Sequence, residues 1–283
     1  MEINFIDWVA FKSHEIADST MSLAEYCAQY SAVQTNWVYT VAGIIGILLL
    51  LISKNKKWYW YLFLAFYTVM SVTSVGMHTA DYGEFQPGTL TTKLFMSYID
   101  MSLTEYTVWW GACCAAMEFN PGKSKKKNYF IATVTALMVV VIAILTFEVF
   151  VMHDRPLYIG GGGAPMDGKT GGLSLAELGC FITACPLFYL FGSNFKHMEK
   201  TEKRIIILLI STLLIAVVIT SLWGDNEING FALGNFHGHS LWHILGGIAE
   251  LEVVFWVQHR ATNERIAKLK DEVRKEIAAE KTA

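Results

Sequence analysis

The sequence predicts an all-α fold, a seven-transmembrane helix bundle with its N-terminus outside or lumenal and its C-terminus cytosolic. Three observations predict it. Hydrophobic residues make up 53% of the 283 residues and aromatic residues 13%, while only 17% are charged, too little polar surface for a water-soluble domain of this length. Seven apolar runs each approach the roughly 20 residues that cross a hydrocarbon core. The basic residues gather in alternate connections between those runs.

Taken in order, residues 1–35 form an outer N-terminal segment with no basic region followed by an apolar run, so they are not a cleavable signal peptide. Within them, Met21–Tyr30 suits a short amphipathic helix lying on the membrane surface. The runs are Asn36–Ser53, Trp58–His78, Leu94–Met117, Tyr129–Met152, Leu173–Phe191, Ile205–Trp223 and His239–Val257, and they make residues 36–257 the transmembrane domain. In the fifth run, Ser174 and Glu177 have capping-box spacing and Pro186 is expected to kink the helix. The connection Asp154–Gly172, with Gly160 to Gly163 in a row, reads as a flexible outer loop. Residues 258–283 form a charged cytosolic tail, helical over Asn263–Ala279, whose plain reading is a solvated face and whose alternative is a partner site.

Orientation follows from Lys and Arg. Lys54, Lys56 and Lys57 follow the first run, Lys123 and Lys125 to Lys127 the third, and Lys196, Lys200, Lys203 and Arg204 the fifth. By contrast Gly224–Gly238 carries Asp225 and Glu227 with no basic residue, and the connection after the second run holds Asp81 and Glu84 with one lysine, Lys93, at its far end. The positive-inside rule then sets the basic connections and the tail in the cytosol, in a plasma or secretory-pathway membrane. The net charge of −3 selects no partner; membrane lipids are expected ones, nucleic acid is not, and a homo-oligomer is left open. The five cysteines, Cys27, Cys113, Cys114, Cys180 and Cys185, contain no C-x-x-C and suit packing.

With this orientation His239 and His243 occupy the first outer turns of the last span. Four residues apart on a helix, they share a face and can reach one metal ion, although such a pair alone also reads as two ordinary helix-end residues. The second span ends at His78, with Ser74 one turn below it on the same face. Asp100 lies six residues into the third span, about 9 Å deep at the helical rise. Three spans thus deliver three histidines, a serine and an aspartate to one depth, and ionisable groups inside spans face the interior and mark function. Three neutral imidazoles, His78, His239 and His243, suit Zn2+ with a fourth position for water; Asp100 would take that water's proton, and Ser74 would donate to an oxyanion or hold His78 in its tautomer. Glu105 points away from Asp100; Glu148, Glu250 and Glu252 read as buried, hydrogen-bonded carboxyls, and Asp81 as an outer partner of the histidines.

These residues resemble the signature of the CREST superfamily of seven-span membrane hydrolases, which includes alkaline ceramidases and progestin and adipoQ receptors. The blocks Met77 to Asp81 with Pro87-Gly88, Tyr98-Ile99-Asp100, and His239 to Leu245 look most like the branch containing myomaker and the transmembrane protein 8 proteins. That branch usually has Cys where Ala80 stands. The resemblance implies a zinc-dependent hydrolase cleaving a lipid amide or ester bond, like a ceramidase or a phospholipase A2. The alternatives are a non-enzymatic, myomaker-like membrane-fusion protein with a structural zinc, and a lipid receptor. Keeping Ser74 and Asp100, which myomaker lacks, tilts the reading toward an enzyme. A retinal protein is excluded because His239–Val257 has no lysine, and paired-histidine haem is disfavoured because His239 and His243 share one helix.

Overall fold

The computed structural model describes residues 23–79, 90, 92–120, 122–153, 158–159, 173–223 and 238–280; the side chains at several helix ends, including those of His78 and His239, lie outside that description, as does Asp81. Among the described residues there are seven α-helices: α1 Leu23–Ile52, α2 Trp58–Thr79, α3 Thr92–Phe119, α4 Lys125–Phe147, α5 Leu175–Asn194, α6 Lys200–Trp223 and α7 Gly238–Glu280. A two-residue antiparallel ladder, β1 Tyr158–Ile159 with β2 Leu173–Ser174, draws together the ends of the glycine-rich connection; residues 160–172 between them lie outside the described residues.

Local chemistry explains the breaks. α1 ends in a Schellman arrangement: Lys54 takes a left-handed conformation (φ 54), its N–H donates to the Leu51 carbonyl at 3.0 Å, and that of Asn55 to Leu50 at 3.0 Å. Asn55 Oδ1 then accepts from the Lys57 N–H at 2.8 Å, starting α2. Ser124 caps α4 by accepting from the Lys127 N–H. α4 ends in a π-turn over Glu148–Met152, closed by left-handed His153. Helix α5 contains Pro186 in its interior and runs on to Asn194.

Two helices outrun their apolar runs by more than ten residues. Residues 23–35 contain neither Gly nor Pro, so in place of a separate surface helix over Met21–Tyr30 the chain continues from Leu23 directly into the first run. Likewise nothing interrupts the helix after Gly247, and α7 carries 43 residues as one rod about 64 Å long.

Contacts fix the helix directions. Thr40 meets Ser71, whereas a Cβ on Gly46 would meet Leu64, so α1 and α2 are antiparallel. Trp110 Nε1 donates to the Tyr59 carbonyl at 2.9 Å, making α3 antiparallel to α2. Trp109 bonds Thr135 and Tyr98 bonds Thr146 across an antiparallel α3–α4 pair, while Glu105 with Thr183 and Phe119 with Phe191 run α5 parallel to α3. Thr35 with His243 and Leu49 with Gln258 set α7 parallel to α1, and Glu252 with Thr212 and Trp256 with Glu202 set α6 against α7. The seven therefore alternate in direction.

Burial is inverted relative to a water-soluble domain. Glu105, Glu118, Glu148 and Glu250 are each 2% exposed or less, while Ile52 is 77% exposed and Ile207, Leu208, Leu214 and Ile215 on α6 face outward. Among the described residues, three helical segments, Val33–Ile52, Lys125–Met152 and Ser240–Glu280, are long and apolar enough to cross a membrane. Helices α2 and α3 are diluted by Trp, Tyr, Ser and Thr and, in α3, by Asp100 and Glu105.

A candidate metal site at the histidine end

The end of α2 and the starts of α3 and α7 lie at one end of this alternating assembly, which brings the backbones of Ser74, His78, Asp100, His239 and His243 to that end. Among them Ser74, Asp100 and His243 have described side chains, and all three are buried. No group of three or more His, Cys, Asp or Glu side chains among the described residues is gathered closely enough to hold a metal; the side chains of His78 and His239 are not among those residues.

His243 is held from α1. Its Nδ1 lies 3.0 Å from Thr35 Oγ1, and its ring packs on Tyr39 with centroids 5.3 Å apart. In the tautomer whose Nδ1–H donates to Thr35 Oγ1, Nε2 keeps the lone pair that a metal ligand requires. The Tyr39 hydroxyl donates to the Trp242 carbonyl at 3.2 Å, so Tyr39 holds α7 at His243 through both its ring and its hydroxyl. On α2, Ser71 pairs with Thr40, and Ser74 follows one turn further toward the histidine end.

Close backbone approach makes these contacts reachable. A Cβ on Gly246 would collide with the Tyr39 ring, and one on Gly247 would come within 2.9 Å of Val38. Small residues at a helix crossing let the backbones approach in this way.

Thr35, Asn36, Tyr39 and Thr40 are the functional-end residues that apolar-run reading misses. Polar residues at the rim of a run look like its flank, yet all four are buried in α1 while Val41, Ile44, Ile45 and Leu48 take its exposed arc. The spacing i, i+4, i+5 was the available signal.

The other carboxyls separate into two kinds. Glu105 receives a hydrogen bond from Thr183 at 2.5 Å and Glu252 one from Thr212 at 3.1 Å, each joining neighbouring helices. Glu250 differs: it is 1% exposed and neither carboxyl oxygen is hydrogen-bonded, against the expected paired state. Cys113 and Cys114 are buried free thiols, as packing residues would be.

Known protein families, curated proteins and solved structures yield no match to this chain.

Proposed function

We propose that all seven helices cross a plasma or secretory-pathway membrane, N-terminus outside and tail cytosolic, and that the chain is a zinc-dependent hydrolase of lipid amide or ester bonds belonging with the CREST superfamily. The apolar outer surface and alternating helix directions support the spans. The observation that carries the activity is the joint burial of Ser74, Asp100 and His243, from three helices, at one end of such an assembly.

In this reading His78, His239 and His243 hold Zn2+, with Thr35 fixing the His243 ring through Nδ1. Zinc, when bound, supplies a Lewis acid that polarises the scissile carbonyl and acidifies water. Asp100 accepts the proton of the attacking water, and the Ser74 hydroxyl donates to the developing oxyanion.

Metal analysis and lipid turnover of the full chain in nanodiscs test this. Zinc is expected at one per chain; Asp100→Asn keeps it and loses turnover by about 10²-fold or more. Absence of stoichiometric zinc, or unchanged turnover in His243→Ala, sinks the proposal.

The hydrogen bonds that stitch α1, α2 and α7 at this end favour a second reading, a zinc staple in a non-enzymatic membrane-fusion protein. There His243→Ala misfolds while Asp100→Asn stays fully active in a cell-fusion assay.

A further inference from the structure

Asn36 is 0% exposed, and neither Oδ1 nor Nδ2 of its carboxamide has a hydrogen-bond partner. Burying an amide unpaired is costly, and buried amides are ordinarily matched by protein, water or ligand. An unmatched one at the rim of a candidate site asks what it is meant to meet.

Its neighbours say where it points. Thr35, one residue earlier, reaches His243 on α7, and Thr40, one turn later, reaches Ser71 on α2. At about 100° per residue, Asn36 lies between those two directions, facing the interior between α7 and α2. Its level follows from the antiparallel packing. Stepping one turn from Thr40 to Asn36 along α1, and one turn from Ser71 to Ser74 along α2, moves toward the same end. Asn36 and Ser74 therefore share a level, beside the Tyr39 whose ring packs on His243.

We propose that Asn36 is the specificity-determining residue of this site and selects an acyl lipid linked through a secondary amide over one linked through an ester. This rests on the hydrolase or lipid-binding reading of the site. The carbonyl and N–H of a trans secondary amide point to opposite sides, so with the carbonyl turned to Ser74 the N–H is the group left to donate to Asn36 Oδ1. An ester offers only acceptors, so Oδ1 stays buried and unpaired when it binds. A site built to pair a substrate N–H rejects the analogue lacking it, because its own polar group is stranded.

The test uses the full chain in nanodiscs carrying Asp100→Asn, with two probes of equal chain length, N-palmitoylethanolamine and ethylene glycol monopalmitate. Binding of each is measured by native mass spectrometry, and turnover of each by the Asp100-containing protein. The amide is expected to bind about tenfold more tightly than the ester. In Asn36→Leu, which removes both polar atoms at similar volume, that ratio falls to near one while the unfolding temperature is held or rises, since an unpaired buried amide has been replaced by an apolar group. Asn36→Asp, which keeps an acceptor for the amide N–H, is expected to keep the preference, and Asn36→Ala serves if the leucine variant fails to fold. Equal binding of the two lipids by the Asn36 protein, an unchanged ratio in the folded leucine or alanine variant, or a lost preference in folded Asn36→Asp overturns the proposal. An Asn36-dependent amide preference without zinc or turnover removes the hydrolase reading and leaves this assignment; turnover indifferent to amide or ester does the reverse.

Discussion

The two ends of the helical assembly answer their buried polar groups in opposite ways. At the His243 end the pairs are between hydroxyls, rings and carbonyls, and Asn36 and, further along α7, Glu250 have no polar atom paired. At the other end every buried charge has an opposite. Glu118 takes Lys57 Nζ at 2.6 Å, Arg260 Nε at 3.0 Å, the Tyr59 hydroxyl at 3.0 Å and Trp60 Nε1 at 3.1 Å. Arg260 also reaches Glu202 at 2.6 Å and lies over the Phe119 ring, 5.0 Å from its centroid. Trp60 and Trp256 close edge to face at 5.8 Å. This network ties α2, α3, α6 and α7. Saturated pairing fixes geometry, and unsaturated pairing keeps capacity for something else to bind. One end is a clamp, while the other leaves the Asn36 and Glu250 side chains unpaired.

The strongest way to break the contrast is to unsaturate the clamp. Glu118→Ala removes the carboxylate that Lys57 and Arg260 share, leaving Lys57 to Glu264 and Arg260 to Glu202, and should cost about 1.5–3 kcal/mol in unfolding free energy, read by thermal or denaturant unfolding in nanodiscs. A cost below about 1 kcal/mol would show that the clamp is ornamental. Acid does the same by titration. Burial alone would raise the Glu118 carboxyl, but hydrogen bonds and charge from Lys57, with Trp60 and Arg260, hold it below its ordinary value of 4.5. A depressed carboxyl contributes stability that is complete above its unfolded value and lost as pH falls through the folded one. The unfolding temperature should therefore drop below about pH 4.5, and that component should vanish in Glu118→Gln.

Smaller effects sharpen the comparison. Gly246→Ala drives a methyl into Tyr39 at the His243 end and should destabilise by about 1–3 kcal/mol and loosen zinc, whereas Gly192→Ala, with nothing within 4 Å, should be neutral or stabilise by up to about 1 kcal/mol. Thr35→Val should weaken zinc about 10- to 100-fold, with Thr35→Ser restoring it. Thr212→Val, which removes the Glu252 partner away from both ends, should cost about 0.6 kcal/mol, the usual worth of a hydrogen bond between membrane helices.

The helices were legible because apolar runs measure their own length: Trp58–His78 became Trp58–Thr79, and Leu94–Met117 became Thr92–Phe119. Ser74, Asp100 and His243 were legible because an ionisable or hydroxyl group inside an apolar run stands out. Thr35 and Asn36 did not stand out, sitting at a run's rim where water is the expected partner. The clamp was hidden for a different reason. Lys57 and the basic tail that includes Arg260 read as topology signals, Glu118 just past the third run drew no reading, and Glu118 and Arg260 are 142 residues apart. No local pattern links them, only packing.

The single rod of α7 carries His243 and Arg260 with no loop between them. Seventeen residues separate the two, about 25 Å and nearly five helical turns. Each added or deleted residue in that interval would rotate one end by about 100° relative to the other. Substitutions there can be absorbed one contact at a time, but a single-codon insertion cannot: it would aim either the imidazole or the guanidinium at lipid. In the grammar of sequence change, the interval is a fixed-length word, and length variation is expected to be purged from it while remaining permissible beyond Glu264.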